Sequence, residues 1–137
     1  MIGISTKTIY ALSAIYQLSL LEANAHMNIK TLALKAEAPE KFLSQILLEL
    51  KRSHILKSIK GANGGYALNK NLSDISLKDL ISTLETNAFE ELTQTINPTL
   101  KLFWEEKQKA LIEVFNSPLN ELEACHEKVN QSFTYMI

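Results

Sequence analysis

Three of the chain's four glycines fall within five consecutive residues, in the run Gly61-Ala62-Asn63-Gly64-Gly65, and a run of that kind does not sit inside a helix. Ile55 to Lys60 before it is β-branched and basic, and Tyr66 to Leu68 follows it, so the region reads as a β-hairpin. Asn63-Gly64 is expected to supply the positive φ angles of a tight turn, and the additional glycines let the tip approach another molecule's backbone closely. Lys57, Lys60 and Lys70 would give such a tip the charge to meet phosphates. An ordinary surface hairpin would carry the same glycines. The spacing fits neither the dinucleotide fingerprint nor the P-loop, and no Gly-Lys-Ser/Thr closes it.

What precedes the hairpin is helical. Residues 7–22 read as a first helix, apolar around most of its circumference apart from a narrow stripe at Ser13 and Gln17. After a loop at 23–28, Asn28 can cap a short second helix whose Ile29, Leu32, Ala33 and Ala36 keep helical spacing. It stops at Glu37-Ala38. Pro39 suits the first turn of a third helix, with Phe42, Leu43, Ile46, Leu47 and Leu50 as its buried face. Its opposite face is polar, carrying Glu40, Lys41, Ser44, Gln45, Lys51 and Arg52, and is interrupted by Leu48. Two short helices joined by a tight turn, the second basic at its end, outline a helix-turn-helix, and the hairpin after them outlines a wing.

Downstream, Ser76 caps a fourth helix, with Asp79 in capping-box position, Ile75 placed to staple onto Leu80, and a core face of Leu77, Leu80, Ile81 and Leu84. Residues 86–97 form a polar connector, and Asn97-Pro98 starts a long helix. Its apolar stripe is Leu100, Phe103, Trp104, Ala110, Leu111, Val114 and Phe115, broken at Lys107. Ser117-Pro118 is expected to restart a final helix bearing Leu119, Leu122, Cys125, Val129 and Phe133. With 137 residues, a single chain would struggle to cover both the first helix and the aromatic long helix, which predicts a symmetric homodimer. Its interface would draw on Leu100, Phe103, Trp104, Leu111, Val114 and Phe115.

Charge separates the two parts. Residues 1–82 hold ten Lys or Arg against six Asp or Glu, whereas residues 83–137 hold four against nine, so an anionic partner is expected for the first part alone. The single cysteine, Cys125, cannot form an internal disulfide and excludes any all-cysteine metal or cluster site within one chain. It is either a redox-sensitive thiol or a small apolar residue on a helix face beside Leu122 and Val129. Lys7, the apolar run Ile9 to Leu21 and Ala23-Asn24-Ala25 imitate a secretory signal, but Ser13, Gln17 and Ser19 interrupt the run, and Glu22 follows it directly. No stretch reaches the length of a membrane span, and the cytoplasm is the expected location. His26, His54 and His126 are dispersed, so no metal site is expected within one chain, while one shared across a dimer stays open. The neighbours Glu90-Glu91 and Glu105-Glu106 do not face each other, and no nucleophile with a base suggests itself, so the chain is not read as an enzyme.

These residues also carry a family resemblance. STKTIYALSAIYQL (Ser5 to Leu18), IKTLALKAEAPEKFLSQILLELKRSHILKSIKGANGGYAL (Ile29 to Leu68) and SLKDLISTLE (Ser76 to Glu85) together resemble the Rrf2 family of bacterial winged-helix regulators. The most specific pieces are Tyr10-Ala11-Leu12, Leu43 with Gln45-Ile46-Leu47 and Leu50, and Gly61 with Gly64-Gly65-Tyr66. Trp104, with Leu119 and Leu122 downstream, is similar to the family's long dimerisation helix and its short successor. The resemblance implies a dimeric transcription factor whose third helix enters the major groove and whose wing contacts the neighbouring backbone or minor groove. Carried over by position, Lys41, Phe42, Ser44 and Gln45 would face bases. Lys7, Thr31, Lys51, Arg52 and Lys60 would touch phosphates, with Asn63 at the wing tip.

Departures from the family pattern are equally informative. Members that sense iron–sulfur status or nitric oxide hold a cluster on three cysteines between the fourth and fifth helices, and residues 86–103 here contain no Cys. A carboxylate that completes the ligand set in some members is replaced by Ile9. Ser44 stands where many members carry Glu, and Lys60 where Arg is frequent, which exchanges a bidentate contact for a point charge. The expectation is therefore a mainly α fold with a small β-hairpin wing, a winged helix-turn-helix plus a long dimerisation helix. Residues 1–85 would be the DNA-binding domain and residues 86–137 the connector, dimerisation helix and C-terminal helix. Such a homodimer would repress from an inverted-repeat operator on double-stranded DNA without a cofactor. The alternative is a winged-helix module that binds a metabolic enzyme rather than DNA, which salt-dependent retention on heparin would discriminate.

Overall fold

A computed structural model describes residues 3–89 and 97–136 of the chain; residues 90–96 of the expected connector, Glu90-Glu91 among them, lie outside the described residues. The elements run α1 (Thr6–Ser19), α2 (Ile29–Lys35), α3 (Glu40–Arg52), β1 (Leu56–Ile59), β2 (Gly65–Leu68), a short 3-10 turn (Leu72–Asp74), α4 (Leu77–Leu84), α5 (Pro98–Phe115) and α6 (Glu121–Met136).

Helices α1 to α4 enclose one core. Ala11, Ala14, Ile15 and Leu18 of α1 meet Leu32 of α2, Leu43, Ile46, Leu47 and Leu50 of α3, and Leu80 and Leu84 of α4, all buried. The small alanines of α1 let its neighbours approach from more than one side, which is why this helix is apolar over so much of its circumference. Three expected caps form: Asn28 accepts from the Thr31 N–H at 2.8 Å, Ser76 from the Asp79 N–H at 3.0 Å, and Asn97 from the Thr99 N–H at 3.0 Å. Helix α1 is shorter than expected, starting from a Ser5 cap and ending at Ser19.

The turn between α2 and α3 is a Schellman motif, in which the Ala38 N–H reaches the Ala33 carbonyl at 3.0 Å and Glu37 takes φ +54°. Helix α3 ends in the same way, with the Ile55 N–H on the Leu50 carbonyl at 3.0 Å and His54 at φ +64°. Both left-handed positions favour glycine and hold a larger side chain instead.

β1 and β2 pair antiparallel, Leu56 opposite Leu68 and Ile59 opposite Gly65. The hairpin forms as expected, but its positive φ lies at Gly61 (+113°), not at Asn63-Gly64. The Gly64 N–H bonds the Gly61 carbonyl at 3.0 Å, and Gly64 and Gly65 are needed for a different reason. A Cβ on Gly64 would strike the Ile59 carbonyl, and one on Gly65 would strike the backbone of Met27 and Asn28. That close approach lets Met27 and Tyr66 exchange two backbone hydrogen bonds, at 2.8 and 3.0 Å, which fastens the hairpin to the start of α2.

The final helix begins at Glu121, later than expected. Ser117 to Leu119 instead runs beside Ile75 to Leu77, with the Leu77 N–H on the Ser117 carbonyl (2.9 Å) and the Leu119 N–H on the Ile75 carbonyl (2.8 Å). Leu119 is buried in the core of α1 to α4, and Tyr16 of α1 hydrogen-bonds His126 of α6. No helix among the described residues is long and apolar enough to cross a membrane. The α2–turn–α3 pair followed by the hairpin is a winged helix-turn-helix.

Candidate nucleic-acid interface

The site is built on α3. Its buried residues, Leu43, Ile46, Leu47 and Leu50, fix the rotation of the helix, because each is fully enclosed. At about 100° per residue, Lys41, Gln45, Leu48 and Arg52 then share an outward arc of roughly 60°. Ser44 and Lys51 lie on one flank of that arc, and all six side chains are exposed. Phe42 stands apart from the other expected base-facing residues. It is half-buried on the opposite flank, its ring edge-on to Tyr10 at 5.7 Å, where it packs between α1 and α3.

The expected phosphate contacts divide in the same manner. Lys51, Arg52 and Lys60 are exposed and, among the described residues, form no ion pair. Lys7 does form one, its ammonium 2.9 Å from Glu49 on the same flank as Phe42. Thr31 is half-buried in the first turn of α2, its amide committed to Asn28. In the wing, Lys60 and Asn63 are exposed, and the Asn63 carbonyl accepts the Nε2–H of His26. His26 thus ties the wing tip to the loop before α2.

One carboxylate organises the N-terminal end of α1. Oε1 of Glu85 accepts from the Ser5 amide (2.8 Å), the Ser5 hydroxyl (2.6 Å) and the buried Thr8 hydroxyl (2.9 Å). Burial pushes its pKa up, but the Ser5 and Thr8 hydrogen bonds and the Lys7 charge outweigh this and hold it below the ordinary glutamate value. A negative charge at a helix N-terminus is also favoured by the helix dipole.

Helix α5 has no buried residue. Its half-buried side, Glu105, Gln108, Ile112 and Phe115, faces its own chain. There the Phe115 ring lies 6.1 Å from that of Phe89, and Gln108 Nε2 donates to the Phe89 carbonyl at 3.2 Å. Phe115 is therefore partly committed within the chain. Leu100, Phe103, Trp104, Leu111 and Val114 point elsewhere, with Phe103 53%, Trp104 45% and Val114 67% exposed. Leu102, outside the expected stripe, is exposed as well.

A family model for Rrf2, described as an iron-dependent transcriptional regulator, matches residues 4–129. CymR of Bacillus subtilis is 27% identical over 136 residues, 98% of this chain and 99% of that protein. An Rrf2-like helix-turn-helix regulator of Rhodobacter capsulatus is 32% identical over 85 residues, and the match spans 57% of its length. Among solved structures, that of B. subtilis CymR, the global cysteine regulator, has a TM-score of 0.79 at 28% identity, covering 90% of this chain and 98% of that one. T. potens IscR has a TM-score of 0.75 at 26% identity, covering 93% and 90%. The iron in the family description finds no thiolate set here: the sole cysteine, Cys125, lies exposed on α6. Among the described residues, no three His, Cys, Asp or Glu side chains are grouped to hold a metal. With the family model spanning nearly the whole sequence, and the helix-turn-helix, wing and long outer helix in place, the chain belongs to the Rrf2 family of transcriptional regulators.

Proposed function

We propose that the protein is a cytoplasmic, homodimeric repressor that binds an inverted-repeat operator without an iron–sulfur cluster. Residues 1–85 would supply DNA contact and residues 86–137 the pairing of two copies. The observation that carries this reading is the outward arc of α3. Its buried side is locked into the core, and it presents Lys41, Ser44, Gln45 and Arg52 as an exposed surface, while the wing that follows exposes Lys60 and Asn63. Gln45 is suited to a bidentate contact with adenine in the major groove, and the exposed cations to phosphates that set the register. A polar, basic arc on one chain reads only one half-site. The exposed stripe of α5 supplies the second by joining two chains about a two-fold axis.

Selection of bound duplexes from a random pool tests the proposal. The enriched sequence should be an inverted repeat with half-sites about one helical turn, or a multiple of it, apart. Enrichment of no sequence over the starting pool would overturn it.

A further inference from the structure

Leu48 lies at one edge of the α3 arc, between Lys41 and the flanking Ser44, about 20° from Lys41 and about 60° from Gln45 on the helical projection. It is 41% exposed, and the residues that α3 gives to the core lie on the other side of the helix. Folding alone does not require an apolar side chain there, and the surrounding arc is polar.

We propose that Leu48 determines specificity by packing on the C5-methyl group of a thymine. The inference rests on the reading of α3 as the recognition helix. Among the base edges of the major groove, the thymine methyl is the apolar group. Against it, Leu48 removes apolar surface from water on both sides. Against a cytosine or adenine amine, the same side chain would strip water from a donor and return no hydrogen bond. Leu48 therefore favours thymine and penalises the other bases at once. Three residues along the helix advance about 4.5 Å, and base pairs are about 3.4 Å apart. The methyl group should accordingly lie within two base pairs of the position read by Gln45.

Deoxyuridine in place of thymine deletes that methyl and leaves base pairing intact, so the test is a scan of the selected operator, one thymine at a time, with the full-length wild type and Leu48→Ala. In the wild type, one deoxyuridine position per half-site, within two base pairs of the position sensitive to Gln45→Ala, should weaken binding about fourfold. Leu48→Ala should bind the thymine and deoxyuridine operators equally, and its circular dichroism should match the wild type because the side chain lies outside the core. Deoxyuridine penalties that persist undiminished in Leu48→Ala, or that are absent near the Gln45 position, would overturn the role of Leu48 while leaving the recognition helix standing. An operator with no thymine there would do the same. If Gln45→Ala alters preference at no position, the recognition-helix reading itself fails and takes this inference with it.

Discussion

Lys7 Nζ and Glu49 Oε2 are 2.9 Å apart, so an ion pair ties the first turn of α1 to the flank of α3. Both side chains are partly exposed, and the pair should contribute only about 0.2–1 kcal/mol to folding. Its larger consequence is for DNA. Glu49→Ala removes a negative charge beside the binding face and frees the Lys7 ammonium for a phosphate. Affinity should then rise on all sequences alike, and the dependence of log K on log salt should steepen by about one unit per protomer. Anisotropy titrations across a salt series measure this, and an unchanged slope would place Lys7 away from the phosphates.

Acid should weaken the fold through Glu85. Its pKa is lowered in the folded chain, so the native state binds fewer protons than the unfolded one between the folded value and about 4.3. The stabilisation is complete above the unfolded value and is lost as pH falls through the folded one. Urea midpoints should therefore drop from about pH 5 downward in the wild type and less steeply in Glu85→Gln. Glu85→Ala should cost about 1–3 kcal/mol at neutral pH, because it leaves the buried Thr8 hydroxyl without its acceptor. Parallel pH profiles for wild type and Glu85→Gln would contradict the assignment.

Glu37 and His54 end their helices at positive φ, where a side chain is strained and glycine is not. Glu37→Gly and His54→Gly should each stabilise the fold by about 0.5–1 kcal/mol, the relief of strain exceeding the entropy that glycine adds to the unfolded chain. Thermal or urea unfolding reads the sign directly. Destabilisation by both would mean that those side chains hold the turns in some other way.

Trp104 contributes to no core within the chain but is the largest side chain of the exposed α5 stripe. Removing an aromatic from an interface centre costs more than about 2 kcal/mol. Trp104→Ala, and Leu111→Lys further along the stripe, should shift sedimentation toward monomer while the helix-turn-helix stays folded. An equally stable dimer in both variants would exclude this stripe as the interface.

How far the sequence revealed this architecture depended on the range of the contacts. The caps at Asn28, Ser76 and Asn97 and the buried side of α3 are set by residues within four positions of one another, and each was legible. Glu85 with Ser5 and Thr8, Lys7 with Glu49, and His26 with Asn63 join residues 37 to 80 positions apart, which local periodicity cannot register. Leu119 kept helical spacing with Leu122 and Cys125, yet the adjacent strand-like pairing with Ile75 drew it into the core. Glu37 and His54 lacked the glycine that normally announces a left-handed cap. In the site, spacing put Phe42 on the buried face of α3 while the family resemblance put it among the base-facing residues, and its half-buried position against Tyr10 reflects an intermediate angle on the helix.

The central claim, that α3 reads bases while the wing holds phosphates, is tested most directly by one set of affinities. Wild type, Gln45→Ala and Lys60→Ala are titrated with the selected operator and with a scrambled duplex across a salt series. Gln45→Ala should cost about 1–3 kcal/mol on the operator, relax preference at one position per half-site, and leave affinity for the scrambled duplex nearly unchanged. Lys60→Ala should weaken both duplexes equally and lower the salt slope by about one unit for each phosphate it no longer neutralises, twice over in a dimer. Wild-type affinities in both variants, or no binding of the unaltered protein to any duplex at low salt, would contradict it.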